Sequence, residues 1–353
     1  MTGVSTLPAT PSETRGEAPA SPTTDRFDVA VVMATYRRPD LLRRCLEAVL
    51  AQRGFGDGPG GRRFEVIVVD DGRTADTEAV VTELAVRSQG RPRLRYLRAQ
   101  GTRGPAGARN LGWRSAEAPL IAFTDDDTVP DAHWLHEGLQ AMTGGLMAAS
   151  GRVVVPTAPR PTDHARNTQG LERAEFVTAN AFVRHEALVA TGGFDERFTR
   201  AWREDSDLHF SLIERYGHVG RAERAIVVHP VREAPWGFSM SQQANVYFDA
   251  LLYAKHRRLY REKVRHRPPW QYIGIVGAAL GALVAAACRQ EALALGLASA
   301  SLIGCVAFAR RRLRGASLAP SHVAEMLVTS VAIPFLAVFW RIRGAWRFRT
   351  LYP

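Results

Sequence analysis

Residues 121–130 read Ile-Ala-Phe-Thr-Asp-Asp-Asp-Thr-Val-Pro, three adjacent carboxylates behind the apolar run Leu120 to Phe123. Adjacent acids repel one another, and their hard oxygens suit Mg²⁺ or Mn²⁺. Asp125 and Asp127 can reach one ion from a turn, leaving its other positions to water and phosphate oxygens. The same triplet also fits a solvated acidic turn, or a cap for a helix starting near Asp131. A second acidic group, Glu204, Asp205 and Asp207, follows Trp202 and opens a stretch with Leu208, Leu212 and Ile213 on one helical face. Acids in a first helical turn commonly complement the helix dipole. That role covers Glu204 and Asp207 better than Asp205, because Trp202 beside it suggests a ligand-facing pocket.

These acids need a scaffold, and the preceding sequence supplies one. Asp28 to Ala34 is an apolar, β-rich run that reads as a buried parallel strand. Leu41, Leu42, Cys45, Leu46, Val49 and Leu50 predict an amphipathic helix over 40–52. After a Gly-rich loop at 54–61, Phe64 to Val69 forms a second strand ending in Asp70-Asp71-Gly72. A helix near 75–88, a short strand from Leu94 to Leu97 and a helix over 106–116 lead to the strand before the acidic triplet. Such alternation implies an α/β domain with a mostly parallel sheet and helices on both faces. Ligands of such sheets bind at the carboxyl ends of the strands. Asp70, Asp71, Asp125, Asp126 and Asp127 all fall at strand ends, so one cleft can gather them. Thr178 to Arg184 reads as a further strand returning under the site.

The chain has 353 residues and a formal net charge of +11. Residues 253–353 hold 16 Lys and Arg against three acids, whereas residues 1–252 hold 30 against 32. The basic excess is therefore C-terminal, which argues against a nucleic-acid-binding face on the front domain and suits anionic phospholipid headgroups. Residues 1–25, rich in Thr, Pro, Ser, Ala and Glu, lack the apolar core of a signal peptide and read as a disordered tail. Cys45, Cys288 and Cys305 show no metal-ligand spacing and read as small buried hydrophobes in a reducing compartment.

In their order and spacing these motifs resemble family 2 glycosyltransferases of the GT-A fold over about residues 27–235. The resemblance rests on Ala34-Thr35-Tyr36-Arg37, Val69-Asp70-Asp71-Gly72, Gly104-Pro-Ala-Gly-Ala-Arg109-Asn110-Leu-Gly112, Asp125-Asp126-Asp127, and Gly192-Gly193-Phe194-Asp195 followed by Glu204-Asp205. It implies that Thr35 and Tyr36 line a nucleotide base, with Asp70 or Asp71 accepting a hydrogen bond from it. Arg109 approaches the diphosphate or base and Asn110 braces that loop, while Asp126 and Trp202 join the donor-binding set. Asp125 and Asp127 match the metal-binding Asp-X-Asp, and His229, after the strand Ala225 to Val228, stands where some relatives supply a third ligand. A lone histidine is also often structural. Asp205 matches the general base, with Glu204 beside it. The implied reaction is inverting, metal-dependent transfer of a sugar from a nucleotide diphosphate to a hydroxyl of a lipid-linked or cell-envelope glycan. A polyprenyl-phosphate glycosyl transferase is an alternative, although a phosphate acceptor needs no base. A membrane-bound nucleotide-sugar-binding protein without turnover is the other.

The C-terminal third reads as membrane-associated. Lys255 to Arg267, within a basic segment at 236–268, predicts a helix along a membrane surface. Residues 272–288 and 292–309 form two uncharged runs, each marginally long enough to span, separated only by Arg289-Gln290-Glu291. A third apolar run at 323–340 contains Pro334. The positive-inside rule favours a two-span hairpin with the third run interfacial or re-entrant, since this keeps residues 255–267, 310–314 and 341–349 on the cytoplasmic side. The catalytic domain is then expected in the cytoplasm, at the cell membrane.

Overall fold

The computed structural model describes residues 27–56, 61–101 and 104–353. The expected tail at 1–25 and part of the Gly-rich loop lie outside them. The chain opens with β1 (Val29–Thr35), α1 (Pro39–Leu50), β2 (Phe64–Asp70), α2 (Ala75–Arg87), β3 (Arg93–Arg98), α3 (Gly104–Arg114) and β4 (Leu120–Asp125). β1 is parallel to both β2 and β4, and β3 flanks β2. Alternation along β1 sends Val29, Val31 and Met33 to a core with α1 and α2, and Ala30 and Val32 to a second core with α3. Burial on both faces explains why these strands read as continuous apolar runs.

Register then does what the site requires. Thr35 pairs with Asp70, and Ala34 with Asp125, so three strands deliver their terminal polar residues side by side at the carboxyl end of the sheet.

Beyond β4 come β5 (Val129–Pro130), α4 (Trp134–Ala141), β6 (Ala148–Val154), α5 (Asp163–Gln169), β7 (Ala181–Arg184), α6 (His185–Thr191), α7 (Glu204–Tyr216) and β8 (Gly220–Val228). The strand order is β3-β2-β1-β4-β7-β6-β8-β5. The β4–β7, β6–β7 and β5–β8 ladders are antiparallel, so this half of the sheet is mixed. The strand expected from Thr178 begins only at Ala181, because Thr178–Asn180 forms a 3₁₀ turn. Buried Asn180 holds that turn: its amide donates to the carbonyls of Arg152 and Ala225 and accepts from the Trp134 indole.

The remaining helices are α8 (Phe238–Ser241), α9 (Val246–Lys255), α10 (Arg257–Lys263), α11 (Trp270–Ala287), α12 (Glu291–Leu313) and α13 (Pro320–Arg347). The basic segment is not one surface helix, for it breaks at His256. That ring is buried between Asp207 and Glu214 at 3.0 and 2.9 Å. Lys255 reaches Asp195 and Asp207, and Lys263 reaches Glu175, so several charges expected to face lipid neutralise acids of the α/β domain.

α11, α12 and α13 are all long and apolar enough to cross a membrane by length and composition. Cys45 and Cys305 are buried as expected, but Cys288 is exposed, because it caps α11 at the hairpin turn. α13 has 28 residues, about 42 Å of helix; its start is tied to the α/β domain and its end to α9. Near its start, His322 Nε2 accepts the Asp163 N–H at 3.0 Å and Glu325 accepts the Gly237 N–H at 2.9 Å. Past its end, the Tyr352 hydroxyl donates to the Val246 carbonyl at 3.1 Å.

Candidate active site

Arg109 connects the two acidic groups. It projects from α3, is buried, and donates from Nη2 to Asp125 Oδ1 at 2.7 Å and from Nη1 to Glu204 Oε1 at 3.1 Å. The end of β4 and the start of α7 therefore lie side by side, although 79 residues of sequence separate their acids. Glu204 Oε2 and Arg109 Nε are buried without a hydrogen-bond partner among the described residues. Burying polar atoms unpaired is unfavourable by about 1–3 kcal/mol each, so such groups mark a place built for something other than stability. Asp205, next to Glu204, accepts from the backbone N–H of Ser206 at 2.6 Å.

On the other side of Asp125, His229 Nε2 lies 3.5 Å from Asp127 Oδ1. One ligand atom from each of Asp125, Asp127 and His229 falls within 4.8 Å of the others. Two carboxylates and an imidazole fit a divalent cation such as Mn²⁺, or Mg²⁺ through its preference for oxygen.

Electrostatics distinguish the acids. Burial pushes Asp125 up, but Arg109, helped by His229 and Arg38, outweighs this and holds it below the usual carboxylate range. Burial raises Asp126 to about 6, despite Arg38. Burial, reinforced by the neighbouring Asp205 charge, raises Glu204 to about 7, and burial also raises Asp205. The pocket thus holds one firmly ionised carboxylate against Arg109 and a pair near α7 with elevated proton affinity, a division found where proton transfer is carried out.

The other expected residues divide by what they touch. The Thr35 hydroxyl donates to Asp126 at 2.7 Å, and Tyr36 is about half exposed beside them. The Asp70 carboxylate is fully engaged, accepting from Gly72 N, Thr74 N and the Tyr96 hydroxyl, so it shapes the loop after β2. Asp71 accepts the Gly104 N–H at 2.9 Å and anchors the entry to α3. Gly104 has φ of +81°, and a Cβ there would lie 2.5 Å from the Thr199 carbonyl oxygen. Asn110 fastens α3 to the turn at Phe194, accepting its N–H and donating to its carbonyl. Trp202 is directed elsewhere: its indole donates to Asp249 on α9 and its ring packs with the aromatic cluster around Phe198 and Tyr260.

Two residues escaped sequence reasoning. Arg38 donates to Asp126 at 3.2 Å and sits 3.8 Å from Asp127. Arg232 places Nε 2.9 Å from Asp127 Oδ2. Both balance acids about 90 to 105 positions away, and no local pattern announces such a pair.

With this geometry in hand, comparison with known proteins is informative. Residues 30–199 match Glycosyl transferase family 2. The succinoglycan biosynthesis protein ExoO of Rhizobium meliloti is 31% identical over 201 residues, covering 54% of this chain and 53% of ExoO. The glycosyltransferase AglE of Haloferax volcanii is 26% identical over 233 residues, covering 62% and 71%. The chain thus spans only about half the length of ExoO. A mannosyltransferase of Pyrobaculum calidifontis, solved with GDP-Man and Mn²⁺, superposes with a TM-score of 0.53 at 18% identity, covering 93% of this chain and 90% of that one. That similarity speaks for the fold alone. The α/β domain built around Arg109 and the Asp125–Asp127 turn is a GT-A fold, and over residues 30–199 it carries the match to glycosyl transferase family 2.

Proposed function

We propose that the protein transfers a sugar from a nucleotide diphosphate to a hydroxyl of a lipid-linked or cell-envelope glycan, with inversion and with a divalent cation. The observation that carries this reading is the Arg109 bridge, which joins Asp125 to Glu204, the neighbour of Asp205 at the start of α7. Asp125, Asp127 and His229 would hold the cation, Mn²⁺ or Mg²⁺. When bound, it supplies positive charge against the diphosphate leaving group.

The chain's own residues do the rest. Thr35 and Tyr36 bind the nucleotide base, with Asp71 at the neighbouring loop. Arg109 lends fixed positive charge from a buried position, where it is worth more than in water. Asp205 takes the acceptor proton, and burial tunes it towards that task by raising its proton affinity. Glu204 keeps Arg109 oriented. The Mn²⁺ and GDP-Man in the Pyrobaculum neighbour support the choice of cation and of a nucleotide sugar as donor.

The membrane arrangement follows from contacts as well as hydropathy. α11 and α12 form a hairpin through the bilayer, while α13, held by the α/β domain at its start and by α9 at its end, lies in the membrane surface. This keeps the catalytic domain and the arginines at 310–314 and 341–349 on the cytoplasmic side, facing anionic lipid.

The test separates donor binding from transfer. Thermal shifts with GDP-, UDP- and dTDP-sugars, with and without Mn²⁺, identify the donor. Asp205→Asn is expected to keep the donor-induced shift and to lose transfer by about 10²-fold or more. If Asp205→Asn transferred normally, the hydroxyl acceptor would be wrong, and a lipid-phosphate acceptor, which needs no base, would replace it. If no nucleotide sugar shifted the wild type, the transferase reading itself would fail.

A further inference from the structure

Glu204 and Asp205 are positioned from a different direction than the metal acids. Asp125 ends β4, Asp127 lies in the turn after it, and Arg109 belongs to α3. The pair at the start of α7 is instead bracketed by α9. Before the pair, Arg203 Nε donates to Asp249 Oδ1 at 2.7 Å, and the Trp202 indole donates to the same oxygen at 3.2 Å. After it, Asp207 is held at 2.7 Å by Lys255, the last residue of α9, and at 3.0 Å by His256. Arg200 adds a further tie, donating to Asn245, just before α9, at 3.1 Å.

The backbone shows why such a bracket is needed. Arg203, directly before the pair, has φ of +74°, a left-handed conformation that is unfavourable for any residue carrying a Cβ. Its side chain makes no capping hydrogen bond to α7. A conformation of this kind persists only where the surroundings over-determine it. Asp249 supplies that determination. It is buried, one of its oxygens collects both donors, and the Arg203 guanidinium lies over the Trp202 ring at 4.8 Å. The helix that carries it is itself fixed: α13 packs so closely that a Cβ at Gly344 would lie 2.6 Å from the Tyr247 carbonyl oxygen of α9.

We infer that Asp249 is a positioning residue, which sets the place of the Asp205 carboxylate by fixing Trp202 and Arg203 and does not itself meet substrate. The inference rests on the transferase reading, with Asp205 as base. It adds that the base is registered on α9 and α13, whereas the groups facing the leaving diphosphate are registered on the sheet and α3.

The experiment follows three quantities on the full chain: backbone hydrogen exchange, the donor-induced thermal shift with Mn²⁺, and release of nucleoside diphosphate in vesicles of its native membrane, counted per donor-binding site. In Asp249→Ala, exchange over residues 199–207 should rise about fivefold or more, while the strand end at 120–130 exchanges as in the wild type. Turnover should fall about 10- to 100-fold, as misalignment of a reacting group implies, with KM for the donor within about twofold. Asp249→Asn keeps an oxygen that can accept both hydrogen bonds, so it should recover most of the turnover although Arg203 loses its counter-charge. Trp202→Phe, the milder change should the alanine variant not fold, removes one of the two donors and should lower turnover about threefold. Unchanged exchange at 199–207 in Asp249→Ala would overturn the inference. So would turnover that falls in step with melting temperature in Asp249→Ala and Asp249→Asn alike, since that is loss of stability and not of placement. The transferase reading stands or falls separately. A wild type without a donor shift loses the transferase, and normal turnover in Asp205→Asn loses the base. Full turnover in Asp249→Ala beside an inactive Asp205→Asn loses only the positioning.

Discussion

Glu204 sits where a carboxylate is least comfortable, buried beside another acid, with one oxygen on Arg109 and the other unpartnered. Its proton affinity rises from an ordinary value of 4.5 to about 7, because burial and Asp205 both oppose ionisation. A carboxyl raised in the folded state binds its proton more tightly folded than unfolded. Its contribution to stability is therefore fully present below about pH 4.5 and is lost as pH climbs through 7. Over that window the loss is on the order of 3 kcal/mol. Glu204→Gln keeps an oxygen for Arg109 and cannot ionise. Its melting temperature should therefore fall less than that of the wild type between pH 5 and pH 7.5. Identical slopes in a pH series would show that Glu204 does not carry this charge. Asp127 makes a complementary case. It touches His229, Arg232 and Arg38 at once, so its charge is well compensated without a cation. Asp127→Ala is expected to remove the Mn²⁺-dependent part of donor affinity, measured calorimetrically with and without EDTA, while leaving a weaker, metal-independent remainder. Affinity unchanged by the substitution would detach Asp127 from the cation.

What positions these residues is a small number of element junctions, and Gly104 is the tightest. It opens α3 with a left-handed backbone, its N–H is taken by Asp71, and the Thr199 carbonyl leaves no room for a methyl group. Gly104→Ala combines backbone strain with a steric clash. It should destabilise by about 2–4 kcal/mol and weaken donor binding, because α3 carries Arg109. Wild-type melting and donor affinity in this variant would mean that the junction is slack. Much of this level was legible in the sequence. Strands β1, β2 and β4 announce themselves because apolar runs buried on both faces stop at a polar residue, and their ends are where the acids gather. Arg109 and Asn110 were identifiable through the glycine-rich motif around them. Other parts were hidden for a physical reason. Arg38 and Arg232 act through charges that are neighbours only after the sheet is assembled, and the Trp202 indole chose Asp249 on a helix 47 residues later. Composition placed Lys255 to Arg267 along a membrane surface; within that stretch Lys255 and Lys263 pair with Asp195, Asp207 and Glu175, partners that spacing along a chain does not reveal.

At the scale of the whole molecule, the proposed placement of the chemistry against a lipid surface turns on α13. Hydropathy marks α11, α12 and α13 equally as able to cross a bilayer, yet three crossings would carry the C-terminus away from the α/β domain. The two-span arrangement proposed above rests on the contacts of α13 instead. His322 and Glu325 tie the first turns of α13 to Asp163 and Gly237, and Tyr352, just beyond its last turn, binds Val246. A helix of about 42 Å tied to α5 at its start and to α9 at its end would lie along the catalytic domain. Its remaining face carries Val328, Val331, Phe335, Phe339, Ile342 and Trp346, all substantially exposed and spaced three or four apart. Such a stripe, with arginines 341, 343 and 347 beside it, suits insertion into the headgroup boundary. The arrangement makes opposite predictions for two thiols. Cys288, exposed at the turn of the α11–α12 hairpin, should react with a membrane-impermeant maleimide in intact cells. Leu351→Cys, at an exposed position beyond α13, should react only after permeabilisation. Buried Cys45 and Cys305 should stay silent in both states. If Leu351→Cys and Cys288 were labelled together from outside, α13 would cross the bilayer, and the contacts that hold it flat against the catalytic domain would have to break in the membrane.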